Sequence, residues 1–386
     1  MKRRTMLAGL AAAGALGVPR LGRAANEPIK LGAVVSATGA ISFLGDPEGK
    51  TLKVYVDRIN AAGGVRGRPI ELTLFDDASD TTQARTFALR LVNQNQVTAL
   101  IGGTGTGQTM SIVPVAEDAE IPFISLAGAL TIVDPVKKWV FKTPATDRIA
   151  AQRTFAQMKA KGITKVGMLN GSDGYGQSGR EQAKLVAKPA GIELVADETY
   201  APSDTDMTGQ LARIRSAGAQ AVLNYGTGAG PSIIARNVKQ LGFTIPLYLS
   251  PAVGSNAFIG TTGPAAEGVL IPVSALLIAD KLPDSDPQKR VCLDYGKVYT
   301  DATKEEPAYG GGCAYDALFL LTGAMQRAID AGKGTDAEAV RAELERTKNF
   351  VGIDGVFNMS PTDHMGLGPD AFIIAEVRNG QFVPAS

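Results

Sequence analysis

From residue 29 to residue 273, short β-branched apolar runs alternate with segments of helical period, and no other feature restricts the fold as strongly. Strands are predicted over 29–36, 71–77, 98–103, 122–127 and 139–143, with helices over 49–62, 81–94 and 109–119 between them. The rhythm then restarts, with strands over 165–170, 193–200, 221–225, 247–250 and 268–273 and helices over 176–188, 207–216 and 231–241. Continuously apolar strands joined by helices of this length form parallel sheets covered on both faces. The fold class is therefore α/β, two doubly wound Rossmann-like lobes with a cleft between them. No short fixed period points to a solenoid.

Beyond residue 274 the pattern changes to long helices over 287–302, 312–331 and 336–347, then strands near 357–359 and 371–382. Arg378-Asn379-Gly380-Gln381 is a two-residue hairpin turn joining 373–377 to 382–384, at a sheet edge. The chain thus crosses between lobes more than once. Residues 26–146 plus 275–352 are assigned to an N-terminal lobe and 147–274 plus 353–386 to a C-terminal lobe, joined by a multi-strand hinge.

Residues 1–25 read as a cleaved export signal: basic Lys2, Arg3 and Arg4, an apolar stretch over 6–18 and a small-residue exit at Arg23-Ala24-Ala25. That stretch is too short to span a hydrocarbon layer of roughly 30 Å. Arg3-Arg4-Thr5-Met6-Leu7 partly matches a twin-arginine leader, and ordinary secretory leaders also carry paired basic residues. Both routes lead out of the cytoplasm. Cleavage removes five of 39 basic residues, so 34 face 38 acids and the net charge is −4. A mildly acidic chain without a basic run has no electrostatic footprint for nucleic acid or anionic lipid.

Cys292 and Cys313 are the only cysteines. In an oxidising compartment a disulfide is expected across their loop of about twenty residues, contributing about 3 kcal/mol; the alternative is two buried thiols. The single histidine, His364 in Asp363-His364-Met365-Gly366, reads as a surface loop residue. Two cysteines and one histidine at these separations have no metal-ligand spacing, and no metal is expected.

In open α/β sheets, ligands sit beyond the carboxyl ends of the strands, where helix N-termini present free N–H groups. The loop from Gly102 to Thr109 follows such a strand. Its glycines, Gly105 among them, let backbone approach a carboxylate, and Thr104 and Thr106 carry hydroxyl donors, with helix capping as their plainer role. As a dinucleotide turn this run fails: it follows the third strand, lacks the third spaced glycine, and no acid ends a strand about twenty residues later. With no Gly-x-Ser-x-Gly elbow and no P-loop, the chain reads as a binder without cofactor, not an enzyme.

Several segments together resemble the periplasmic substrate-binding proteins of branched-chain amino acid (Leu/Ile/Val-type) ABC importers, the type I periplasmic binding fold, over residues 28–384. They are Leu31-Gly32-Ala33-Val34-Val35-Ser36-Ala37-Thr38-Gly39 with Gly45-Asp46, Ile59-Asn60-Ala61-Ala62-Gly63-Gly64-Val65 with Gly67-Arg68-Pro69-Ile70, and Asp76-Asp77 with Gln83-Ala84. Ile101-Gly102-Gly103, Ile121-Pro122-Phe123-Ile124-Ser125, Asp173-Gly174-Tyr175-Gly176 and Ala314-Tyr315-Asp316-Ala317 extend the match.

The resemblance implies a monomeric periplasmic protein that hands a small-molecule carboxylate to an ABC importer permease with a separate ATPase; a ligand-sensing receptor module is the alternative. It aligns Thr106 with the hydroxyl that binds the ligand's carboxylate, and Ala127-Gly128-Ala129, Tyr175, Thr227 with Gly228, and Ala252 with other cleft contacts. Amino acid binders of this type place a hydroxyl near Ala129 and an acid near Ala252 to hold the ammonium. Alanine at both leaves no expected partner for a buried cation, which is costly to desolvate. The expected ligand is an aromatic acid or keto acid lacking an α-amino group, with a branched-chain or other amino acid as the alternative. Phe43, Tyr175 and Tyr309 offer flat apolar walls and Arg148 a partner for an acid, while Trp139 is expected in core or hinge packing.

Overall fold

The computed structural model describes residues 27–385; the leader read over residues 1–25 lies outside them. The first lobe alternates β1 (Ile29–Val35), α1 (Ser42–Ala61), β2 (Ile70–Asp76), α2 (Thr81–Arg90), β3 (Ala99–Gly102), α3 (Thr106–Ala119), β4 (Phe123–Ser125) and β5 (Val140–Lys142). Its five strands are all parallel, in the order β2-β1-β3-β4-β5. The central strands β1 and β3 are buried on both faces, which is why they read as unbroken apolar runs.

The second lobe runs through α4 (Asp147–Ala160), β6 (Lys165–Gly171), α5 (Gly174–Ala187), β7 (Glu193–Tyr200), α6 (Thr208–Ser216), β8 (Ala221–Asn224), α7 (Gly230–Gln240), β9 (Leu247–Leu249), α8 (Asn256–Thr262) and β10 (Leu270–Val273). Strand order β7-β6-β8-β9-β10 repeats that of the first lobe. Each sheet therefore reverses direction of growth at one point, between β1 and β3 and between β6 and β8.

The chain continues as α9 (Pro287–Thr303), α10 (Tyr309–Asp330), α11 (Ala337–Glu345), a short pair β11 (Phe350–Val351) and β12 (Val356–Phe357), and a hairpin of β13 (Ile373–Arg378) and β14 (Gln381–Pro384). Helix α10 packs along α1, where Tyr55, Tyr295, Tyr315 and Phe319 form an aromatic cluster with ring centroids 4.4–5.9 Å apart. The hairpin adds antiparallel to β10 and places β14 at the sheet edge. Its turn residues Asn379 and Gly380 both have positive φ, the conformation an Asn-Gly pair favours. Successive strands change sheet between β5 and β6, and again after β10 and after β12.

Two sequence expectations are corrected. Cys292 on α9 and Cys313 on α10 are buried free thiols and not a disulfide, each serving as a small apolar side chain in its own helix packing. His364 is not on the surface but 1 % exposed. Its ring stacks on Phe141 at 4.0 Å, with Nδ1 2.9 Å from the Val140 carbonyl and Nε2 3.3 Å from the Glu345 carboxylate. The Asp363 side chain does form the local turn, accepting from Met365 and Gly366 N–H, but the turn is tucked against β5. Trp139 is buried, as its role in packing requires.

Candidate ligand-binding site

A cavity of about 310 Å³ lies between the two sheets at their carboxyl edges. Loops following β1, β2, β3 and β4 line it from one side and loops following β6, β7, β8 and β9 from the other, with the start of α10 closing one end. Both strand-order reversals thus face the same space, the position at which open α/β sheets hold ligands.

The first lobe's polar contribution comes from the turn between β3 and α3. Gly103 has φ +66, and a Cβ there would meet Thr109 Oγ1 at 2.4 Å, so this sharp turn needs glycine. The turn aims the N-terminus of α3 at the cavity. Thr106 opens that helix, and its hydroxyl oxygen is buried without a hydrogen-bond partner among the described residues. Next to it, the Thr104 hydroxyl accepts from Ser36 N–H at 2.9 Å and donates to Glu48 Oε2 at 2.5 Å. Across the cavity Asp173 caps α5, accepting from Tyr175 and Gly176 N–H at 2.9 and 3.1 Å.

Tyr175 and Tyr309 supply aromatic surface. Burial lifts both phenols above their ordinary value, so they stay protonated at neutral pH. The lobes meet here: a Cβ on Gly128 would stand 2.9 Å from Tyr175 Cε2, and one on Gly174 3.5 Å from Thr106 Cγ2. The cleft is closed around its cavity.

A family model described as periplasmic binding protein matches residues 28–381. The chain belongs to the periplasmic binding protein family. Members of this family bind ligands without transforming them. A binding protein for leucine, isoleucine, valine, threonine and alanine from Pseudomonas aeruginosa is 26% identical, with 84% of each chain covered. An extracellular ligand-binding receptor from Rhodopseudomonas palustris HaA2 superposes with a TM-score of 0.86 at 28% identity, covering 93% of this chain and 99% of that one. A solute-binding protein of an R. palustris ABC transporter, solved in complex with benzoate, gives 0.79 at 22% identity, covering 93% and 96%; at that identity the likeness is one of fold. Among the described residues no helix is long and apolar enough to cross a membrane.

In this periplasmic binding protein the cavity gathers Thr104, Gly105, Thr106, Ala127, Gly128, Tyr175, Thr227, Ala252 and Tyr309 from the residues predicted on sequence grounds. Four others fall outside it. Phe43 faces an outer groove with Asp46, Ser255 and Glu306, because the turn of α1 directs its neighbours Ile41 and Leu44 inward instead. Ala129 is fully buried behind the wall, its carbonyl accepting from Lys142 Nζ at 3.4 Å. Gly228 sits at the rim, where a Cβ would approach the Ala40 carbonyl at 3.7 Å. Arg148 turns away, donating to Gln182 Oε1 at 2.7 Å and lying 3.9 Å from Asp134. Thr104 lines the cavity, but its proton is already committed to Glu48.

The sequence reading missed two acids in the lining, Asp173 and Glu48, so the expectation of a cleft without carboxylates is corrected. Glu48 is 1 % exposed, and burial raises its pKa well above the ordinary carboxylate value, against the Thr104 hydrogen bond and with Asp77 adding to the rise. Its signal was available: Leu44, Glu48 and Leu52 follow one another at four-residue spacing, which puts an acid in the inward stripe of α1. Among the described residues no lysine, arginine or histidine lines the cavity. Behind the wall, burial holds Lys142 down to about 7, with Asp147, Cys313 and Asp354 as its charged or titratable neighbours.

Proposed function

We propose that this protein captures a small carboxylate lacking an α-amino group, an aromatic acid or a keto acid, and delivers it to the membrane permease of an ABC importer. The observation that carries the reading is the buried, unpartnered Thr106 hydroxyl at the N-terminus of α3, facing an otherwise largely apolar chamber. A helix N-terminus and a free hydroxyl stabilise an anion without a counter-ion. Ala127, Ala252, Tyr175 and Tyr309 would then surround a ring or branched chain. The lobes, taken as 26–146 plus 275–352 and 147–274 plus 353–386, would close as the ligand binds the closed state more tightly than the open one. Residues 1–25 would direct export, and the mature protein would act as a monomer.

A second reading, an amino acid ligand, is favoured by the carboxyl groups of Glu48 and Asp173 in the lining and by the amino acids in the name of the Pseudomonas relative. Calorimetric titration with benzoate, phenylpyruvate, leucine and glutamate separates the two. Micromolar or tighter binding of benzoate or phenylpyruvate, with leucine and glutamate much weaker, supports the proposal. Tight binding of leucine with no response to the other acids overturns it.

A further inference from the structure

Glu48 is a carboxyl group built into the chamber wall without a cation to balance it. The titratable groups facing it are Asp77 beyond β2 and Cys313 on α10, with Asp173, Tyr175 and Tyr309 also lining the chamber; none is basic. Its two oxygens have different surroundings. Oε2 accepts from the Thr104 hydroxyl, whose own oxygen accepts from the fixed Ser36 N–H. Glu48 Oε2 is the acceptor of the Thr104 proton, so a proton carried by Glu48 belongs on Oε1, which has no hydrogen-bond partner among the described residues. Ser36 is held in turn by its hydroxyl, which donates to Asp77 Oδ1 at 2.6 Å.

We infer that Glu48 acts as a neutral carboxylic acid whose Oε1–H donates a hydrogen bond to the bound ligand, making it a specificity-determining residue that favours anions and disfavours ammonium groups. The inference rests on the proposed carboxylate reading and deepens it. Burial raises the affinity of Glu48 for its proton, in keeping with that role. A neutral donor beside the Thr106 hydroxyl and the first N–H groups of α3 would complete a cationless anion site in which every polar contact to the ligand is a hydrogen bond, the arrangement that avoids a permanently buried charge.

The test compares Glu48→Gln and Glu48→Ala with the wild type in calorimetric titrations of benzoate and phenylpyruvate from pH 5 to pH 9, with leucine in parallel. An amide keeps a donor and loses the titration. Glu48→Gln is expected to bind the better acid within about threefold of the wild type at pH 6 and to show no fall in affinity with rising pH, whereas any pH dependence of the wild type is a fall at the alkaline end, where Glu48 ionises. Glu48→Ala is expected to bind roughly tenfold more weakly. If wild-type affinity for these acids rises with pH, or Glu48→Gln loses binding as fully as Glu48→Ala, the inference is overturned while the carboxylate reading stands. If the wild type binds only leucine, the underlying reading fails as well. Circular dichroism of each variant separates loss of binding from loss of folding.

Discussion

At the scale of single residues, the site divides into groups with a partner in the protein and groups without. The Thr106 hydroxyl is buried and has no hydrogen-bond partner among the described residues, and on the proposed reading its contribution goes to a ligand. Replacement by valine, which keeps the shape, is predicted to leave thermal stability unchanged or slightly higher and to weaken carboxylate binding roughly tenfold to a hundredfold, the worth of a hydrogen bond to a charged group. Equal losses of stability and affinity would contradict this. Lys142 shows the reverse case, an amine buried for structure. Burial lowers its pKa from 10.5 to about 7, so the unfolded chain binds the proton more readily than the folded one. Below pH 7 the folded chain must bury the ammonium; between about 7 and 10.5 it holds the neutral amine, and that penalty shrinks. Urea denaturation of wild type and Lys142→Met is therefore predicted to show the wild type gaining relative stability from pH 7 to pH 10, and a constant difference would refute the assignment. Thr106 and Tyr175 were legible in the sequence because they lie in motifs that follow strands. The inward position of Glu48 was legible in its spacing with Leu44 and Leu52, but its pairing and the burial of His364 were not, since these depend on what a distant segment brings against them: Thr104 in one case, β5 in the other.

At the scale of elements, the sequence was most readable where local pattern and tertiary burial agree. All ten strands up to Val273 fall within two residues of their predicted limits, since parallel strands buried on both faces leave an unbroken apolar signature. Helix α4 had no assigned span, because Asp147–Ala160 places Arg148, Arg153 and Gln157 among its apolar residues and presents no strong stripe. Helix α1 starts seven residues earlier than predicted, as it continues through Pro47, which removes only the N–H that would have met the Phe43 carbonyl. This earlier start brings Ile41, Leu44 and Glu48 to the cavity. Between elements, Tyr175 on α5 packs closely across the cleft on Gly128 after β4. Gly128→Ala would place a methyl 2.9 Å from the Tyr175 ring, obstructing closure without touching either sheet. The predicted result is an affinity loss of about tenfold with little change in the unfolding transition; a variant that binds like the wild type would show that closure does not require this contact.

At the scale of the whole molecule, two sheets of the same strand order present their reversal points to one chamber, and on the proposed reading the repeated crossings of the chain between them would allow opening without separation. That organisation was readable from the rhythm of strands and helices, whereas the chamber's charge balance was missed, because the helix predicted from the sequence began at residue 49 and left Glu48 outside it. On the proposed reading this chamber holds an acid's carboxylate by hydrogen bonds alone. The most direct measurement is a crystal structure with the tightest-binding acid from the titration panel. The ligand carboxylate is expected within hydrogen-bond distance of Thr106 Oγ1 and the first N–H groups of α3, with the apolar part against Tyr175. A zwitterion bound with its nitrogen on Glu48 or Asp173, or a carboxylate lying away from α3, would contradict it.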